Sequence, residues 1–140
     1  MIFKAFVTFS ILFSFHLQSQ RRNFFPDSDT PPNCNIIKKG TFFRDDKTDS
    51  RFKVKFHNNK MIEVYGNNTV IIESNLKMLS KCKFEGEIKK IKTKFLMTDS
   101  LFYVGKTTTY EIVETGKNYI VYEYPCVADL NNCTEILEKK

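Results

Sequence analysis

The sequence predicts an all-β fold: a small antiparallel meander forming a curved sheet or partly closed barrel, with scope for a short C-terminal helix. Three observations carry this. Apolar and polar residues alternate with the strand period, most plainly over residues 51–57, where Phe52, Val54 and Phe56 interleave with Arg51, Lys53 and Lys55. Asn and Gly punctuate the apolar runs at short intervals, at Asn58-Asn59, Gly66-Asn67-Asn68 and Gly116-Lys117-Asn118. No window sustains the capped 3.6-residue repeat of an amphipathic helix.

In chain order, residues 1–19 read as a secretory signal peptide. Lys4 supplies the positive start, residues 5–15 the apolar stretch, and Leu17 and Ser19 the small or apolar cleavage positions before Gln20. The apolar run is shorter than the ~20 residues needed to span a bilayer, so no integral membrane anchor is expected. Cleavage near Ser19/Gln20 would leave a secreted or periplasmic product and would remove His16, one of the two histidines. Residues 20–33 are polar and contain Pro26, Pro31 and Pro32, which predicts a disordered arm whose Phe24 and Phe25 offer docking points. Residues 34–140 then form a single β domain ending in a cysteine loop.

Within that domain, residues 51–57 make a strand with one apolar and one basic face, and Asn58-Asn59 suits a two-residue hairpin turn into residues 60–65. Gly66-Asn67-Asn68 turns into a further strand from Thr69 to Glu73. In residues 75–95 the alternation changes phase: Cys82, Phe84, Gly86 and Ile88 share one face, but Ile91 and Phe95 fall on the other parity. A β-bulge near Lys89-Lys90 returns the later residues to the inside and bends the sheet. A last hairpin runs through Tyr110 and Ile112, turns at Gly116, and returns with Ile120, Tyr122 and Tyr124 on one side. Residues 134–140 carry Ile136 and Leu137 as their only large apolar residues, which allows the short terminal helix.

Cys34, Cys82, Cys126 and Cys133 form an even set in an oxidising destination, which reads as disulfides. Three pairings exist. The short loop between Cys126 and Cys133 favours that bridge and leaves Cys34 with Cys82. No C-x-x-C pair occurs, so neither a structural metal nor a redox-active pair is expected. Asn67-Asn68-Thr69 and Asn132-Cys133-Thr134 fit the N-glycosylation acceptor pattern, headed by Asn67 and Asn132.

The inventory of reactive groups argues against an enzyme. His57, at a strand end beside the Asn-Asn turn, lies in no recognisable triad, and Ser50, Ser74 and Ser80 lie in no nucleophile motif. Glu85 and Glu87 share a strand face as a glycosidase pair would, yet they alternate with Lys81, Lys83 and Lys89 as solvated ion pairs do. Asp45, Asp46 and Asp49 cluster without the glycine and terminal glutamate of a calcium loop. No glycine-rich phosphate cradle is present, and no catalytic residue, cofactor or metal is predicted.

The formal net charge is +6, and residues 77–94 hold seven lysines against two glutamates. Export makes nucleic acid an improbable partner for them. Lysines on an exposed face guard edge strands against aggregation, and they also suit attraction to anionic envelope lipid or polysaccharide. The aromatic content, with 14 Phe, 6 Tyr and no Trp, either fills the interior of a small barrel or lines a pocket in it.

The stretch Cys34-Asn35-Ile36-Ile37-Lys38-Lys39-Gly40-Thr41-Phe42, the hairpin over residues 51–65 and the segment Ser80-Lys81-Cys82-Lys83-Phe84 resemble small, uncharacterised exported proteins of Bacteroidota. The sheets of that group are similar to shortened calycins, the lipocalin class of barrel. The resemblance spans about residues 34–124 and implies a calycin-like curved sheet, with no catalytic residues to transfer. The expected function is a non-enzymatic binding module holding a small apolar ligand against Phe52, Val54, Phe56, Phe84, Tyr110, Tyr122 and Tyr124, residues that serve equally as core. The alternative is a cell-envelope module that binds protein or polysaccharide through its lysine face.

Overall fold

A computed structural model describes residues 23–44, 52–95, 98–126 and 131–139, the side chains of 98 and 99 excepted. The expected signal peptide, the first residues of the arm, the Asp45, Asp46 and Asp49 cluster with Ser50 and Arg51, and residues 127–130 of the cysteine loop lie outside that set.

Eight strands follow one another as a meander: β1 (Lys39–Phe43), β2 (Lys53–His57), β3 (Lys60–Tyr65), β4 (Val70–Met78), β5 (Lys83–Thr93), β6 (Thr107–Gly116), β7 (Tyr119–Pro125) and β8 (Asn132–Glu138). Each pairs antiparallel with the next, and β8 returns to β1, so the barrel is closed. Closure removes the sheet edges that an open meander would leave unpaired. The turns follow the sequence signals. Asn58 and Asn59 both adopt positive φ (49° and 57°), as do Gly66, Asn67 and Asn68, the conformation that two-residue hairpins require and that Asn tolerates best after Gly.

The C-terminal helix does not form. Residues 132–138 are β8, paired with all of β7 from Tyr119↔Glu138 to Pro125↔Asn132. A helix there would leave β7 as a bare edge. The alternation of Cys133, Glu135 and Leu137 against Thr134 and Ile136 fits the strand better than any helical stripe.

Two bulges bend the barrel. In β5, Glu73 pairs with Lys90 but Ser74 with Ile88, so Lys89 is the extra residue, at the place where the alternation changes phase. Ile91 thereby rejoins the inner face opposite Ile72. Phe95 does not follow it: lying beyond the end of β5, it remains 73% exposed. In β6 the shift falls at Val113, between Ile112↔Tyr122 and Glu114↔Val121.

The turns after β2, β4 and β6 share one end of the barrel with the short 3-10 helix over Cys34–Lys38. This end is filled. Ile37, Phe42, Val54, Phe56, Met61, Phe84, Ile112, Ile120 and Leu137 are all buried and form the core with the base of the aromatic column. The column itself climbs the axis, Phe42 edge-on to Phe56, Phe56 edge-on to Phe84, Phe84 stacked on Tyr110 at 5.1 Å, and Tyr110 against Tyr122 and Tyr124. Gly86 admits that stack, since a Cβ there would lie 3.3 Å from the Tyr110 ring.

Both disulfides are those the spacing favours. Cys34–Cys82 ties the 3-10 helix to the start of β5, and Cys126–Cys133 clamps the β7–β8 connection at the other end. With its partners 48 positions apart in sequence, the first contributes about 4 kcal/mol by restricting the unfolded chain. Paired cysteines of this kind belong to an oxidising compartment, extracellular or periplasmic. No helix among the described residues is long and apolar enough to cross a membrane.

Residues 23–33 were expected as a free arm, but they lie against the outer face of β6 and β7. Glu114 there accepts hydrogen bonds from the Phe24 and Phe25 amides (2.5 and 2.9 Å), the Ser28 hydroxyl (2.5 Å) and the Tyr119 hydroxyl (3.1 Å). Thr115 receives the Asn33 amide and donates to Asp29, both at 2.7 Å. The polar composition that suggests disorder is thus what the buried Glu114 and Thr115 need as partners. Phe25 packs on Tyr119 with ring centroids 4.6 Å apart, whereas Phe24 stays exposed.

Candidate functional site

The opposite end of the barrel is not filled. Inward positions of its strands surround a recess of about 310 Å³ lined by Arg44, Phe52, Glu63, Tyr65, Ile72, Thr108, Tyr110, Tyr122, Tyr124, Pro125 and Glu135. Every strand except β5 contributes to it or runs directly into it. Inward parity explains the set: across the β2–β3–β4 ladder Val54, Glu63 and Ile72 are in register, so Glu63 stands on the face whose other members are core.

Four of the seven residues expected to line a pocket do so: Phe52, Tyr110, Tyr122 and Tyr124. The other three, Val54, Phe56 and Phe84, are fully buried in the packed half below. One set of inward aromatics therefore both fills and lines.

The charged part of the recess is absent from the sequence expectation. Arg44 continues β1 beyond Phe43 and its guanidinium meets Glu135 of β8 twice, Nε to Oε1 at 2.7 Å and Nη2 to Oε2 at 2.9 Å. Its plane lies over the Phe52 ring at 4.2 Å. This fork also closes the barrel, because the β1–β8 ladder holds one residue pair, Phe43↔Glu138. Glu63 is set apart from it and accepts one hydrogen bond, from the Tyr65 hydroxyl at 3.2 Å. Burial pushes the Glu63 carboxyl up to about 7; the Tyr65 hydrogen bond opposes this, Glu135 adds to it and Arg44 opposes it. Burial likewise raises the Tyr65, Tyr110, Tyr122 and Tyr124 hydroxyls, with the nearby Glu63 or Glu135 carboxylates reinforcing the rise, so all four stay neutral.

The sequence conceals Glu63 because Ile62 and Val64 flank it, so either face of β3 reads as apolar. Glu135 is hidden by the expectation of a helix. One signal was available: Met61, Glu63 and Tyr65 are the parity that pairs with Phe56 and Val54 of the preceding strand.

Beside the recess lies an apolar shelf. The β5–β6 ladder ends at Glu87↔Thr107, and past Ile88, whose backbone still bonds Gly105 and Lys106, β5 pairs with β4 and carries its inner face past the rim. Val70, Ile72, Ile88, Ile91 and Thr93, with Ser100 and Tyr103 from the 3-10 helix Thr98–Tyr103, border about 280 Å³. Ile72 lines both spaces, so shelf and recess adjoin across its side chain.

The other candidates lie elsewhere. His57 is exposed at the filled end, and Glu85 and Glu87 sit on the outer face, where Glu87 pairs with Lys89 at 2.6 Å. Ser74 is buried inside the wall and Ser80 is exposed in the β4–β5 loop. The lysine face is present on the outside, with Lys60 held by Glu73 at 2.6 Å. Among the described residues no three metal-ligating side chains converge. No family model, curated protein or solved structure matches the chain.

Proposed function

We propose that the protein is a non-enzymatic, calycin-like binding module that takes a small amphipathic molecule through the open end of its barrel. The observation that carries this is the division of the interior: one half is packed and the other is left as an aromatic recess with an apolar shelf beside it. A closed meander barrel with one open end is a common architecture for enclosing small ligands. Shelf and recess together reach the lower part of the ~300–1,000 Å³ range of small-molecule sites. The purely apolar ligand expected from the sequence is amended here. Glu63 in the wall favours a ligand with a polar head, since an apolar body alone would bury its carboxyl with only the Tyr65 hydroxyl as partner among the described residues.

Titration calorimetry with decan-1-ol tests the reading. Saturable one-to-one binding to the purified protein supports it, and no binding up to the solubility limit contradicts it. Phe52→Trp provides a second readout, since a Trp at the rim should change its fluorescence over the same titration.

A further inference from the structure

We propose that the polar head this recess selects is a cation, an ammonium group on an apolar chain or ring, held by the Glu63 carboxylate and walled by the rings of Tyr65, Tyr110 and Tyr124. The inference rests on the binding role proposed above and specifies its ligand.

Among the described residues three charged side chains line the recess, and two of them, Arg44 and Glu135, are matched to each other. Arg44 spends one guanidinium edge, Nε and Nη2, on Glu135 and its face on Phe52. An anionic head would compete for that guanidinium with Glu135, whose side chain is 10% exposed, and would place a third negative group beside two carboxylates. Among the described residues Glu63 is the charged group of the lining that has no ion-pair partner. Its own strand offers it Tyr65; Arg44 faces it from beyond β1, Glu135 from β8, Tyr110 from β6, and Tyr122 and Tyr124 from β7. The β2 and β4 neighbours, Phe52, Val54 and Ile72, carry no charge. Among the described residues the lining therefore carries a net negative charge whenever Glu63 is ionised, with the neutral Tyr65 hydroxyl as its donor.

An ammonium supplies what is missing. It donates a charge-assisted hydrogen bond to the carboxylate and meets the negative faces of the surrounding rings. The apolar body then runs along Val70, Ile72, Ile88 and Ile91. Because burial raises the Glu63 carboxyl, the cation-holding form fills as pH rises, so ammonium affinity increases up to neutrality while that of a neutral head does not.

Decylamine, decan-1-ol and decanoate share a body and differ in head. The expected order of affinity is amine, alcohol, acid, with the amine about tenfold or more tighter than the alcohol at neutral pH. Glu63→Gln should bring decylamine down to about the level of decan-1-ol, and a cooperative urea unfolding transition for the same variant shows that it is folded. In the parent protein the amine's advantage should shrink as pH falls below neutrality. Decanoate binding tightest, or an amine preference that survives Glu63→Gln, overturns the cation assignment. Alcohol and amine binding equally overturns it while leaving the binding role intact, and failure of all three probes overturns both.

Discussion

Glu63 stands between Met61 and Tyr65 on the inner face of β3, so its ionisation is coupled to folding. Its carboxyl is raised from 4.5 to about 7, so the folded chain keeps a proton over a range where the unfolded chain has lost it. Stability must therefore fall as pH rises from 4.5 through about 7. Glu63→Gln removes the titrating group and should match the parent below that window while exceeding it above by roughly 1–3 kcal/mol. Urea unfolding at either side of the window measures this, and a parent whose stability does not decline across it contradicts the placement of Glu63. Arg44 behaves oppositely. Arg44→Met leaves Glu135 unpaired at the seam and should cost about 2–4 kcal/mol, whereas Arg44→Met with Glu135→Leu should recover much of that loss. A double variant no more stable than the single one would show that the fork is needed for closure itself.

At the scale of elements, the sequence revealed what depended on local alternation and turn chemistry, and concealed what depended on partners distant in the chain. The β2–β3 hairpin and its Asn58-Asn59 turn are local and were readable. The Lys89 bulge was readable because Ile88 and Ile91 cannot share a face without it. β8 was not, since Ile136 and Leu137 suit helix or strand equally until β7 presents an edge to be paired. The arm was missed for the same reason: Ser28, Asp29 and the Phe24 and Phe25 amides become structured through Glu114 and Thr115, far along the chain. Burial pushes the Glu114 carboxyl up, but Ser28, the two amides and Tyr119 outweigh it and hold it below its ordinary value. The stability it brings is present above that ordinary value and fades as pH falls further. Glu114→Gln should cost about 1–2 kcal/mol and make residues 23–33 cleavable by protease while the barrel stays intact. An arm that remains protected would show that Glu114 is not its anchor.

For the whole molecule, the decisive property is asymmetry along the barrel axis. One end is sealed by the 3-10 helix, Cys34–Cys82 and a layer of Phe, Met, Ile and Leu; the other keeps tyrosines, an acid and an ion pair around open space. The aromatic richness of the sequence announced both outcomes without dividing them, because Phe84 and Tyr110 share a parity and differ only in height. Height in a barrel is set by shear, which no single strand records. The same decan-1-ol titration, followed residue by residue through backbone amide NMR shifts, tests this asymmetry most directly. Shifts concentrated at Phe52, Tyr65, Ile72, Tyr110 and Tyr124, with His57, Asn59 and Asn118 unmoved, are the predicted result. Shifts centred on those three residues of the sealed end, or none at all, would contradict the account.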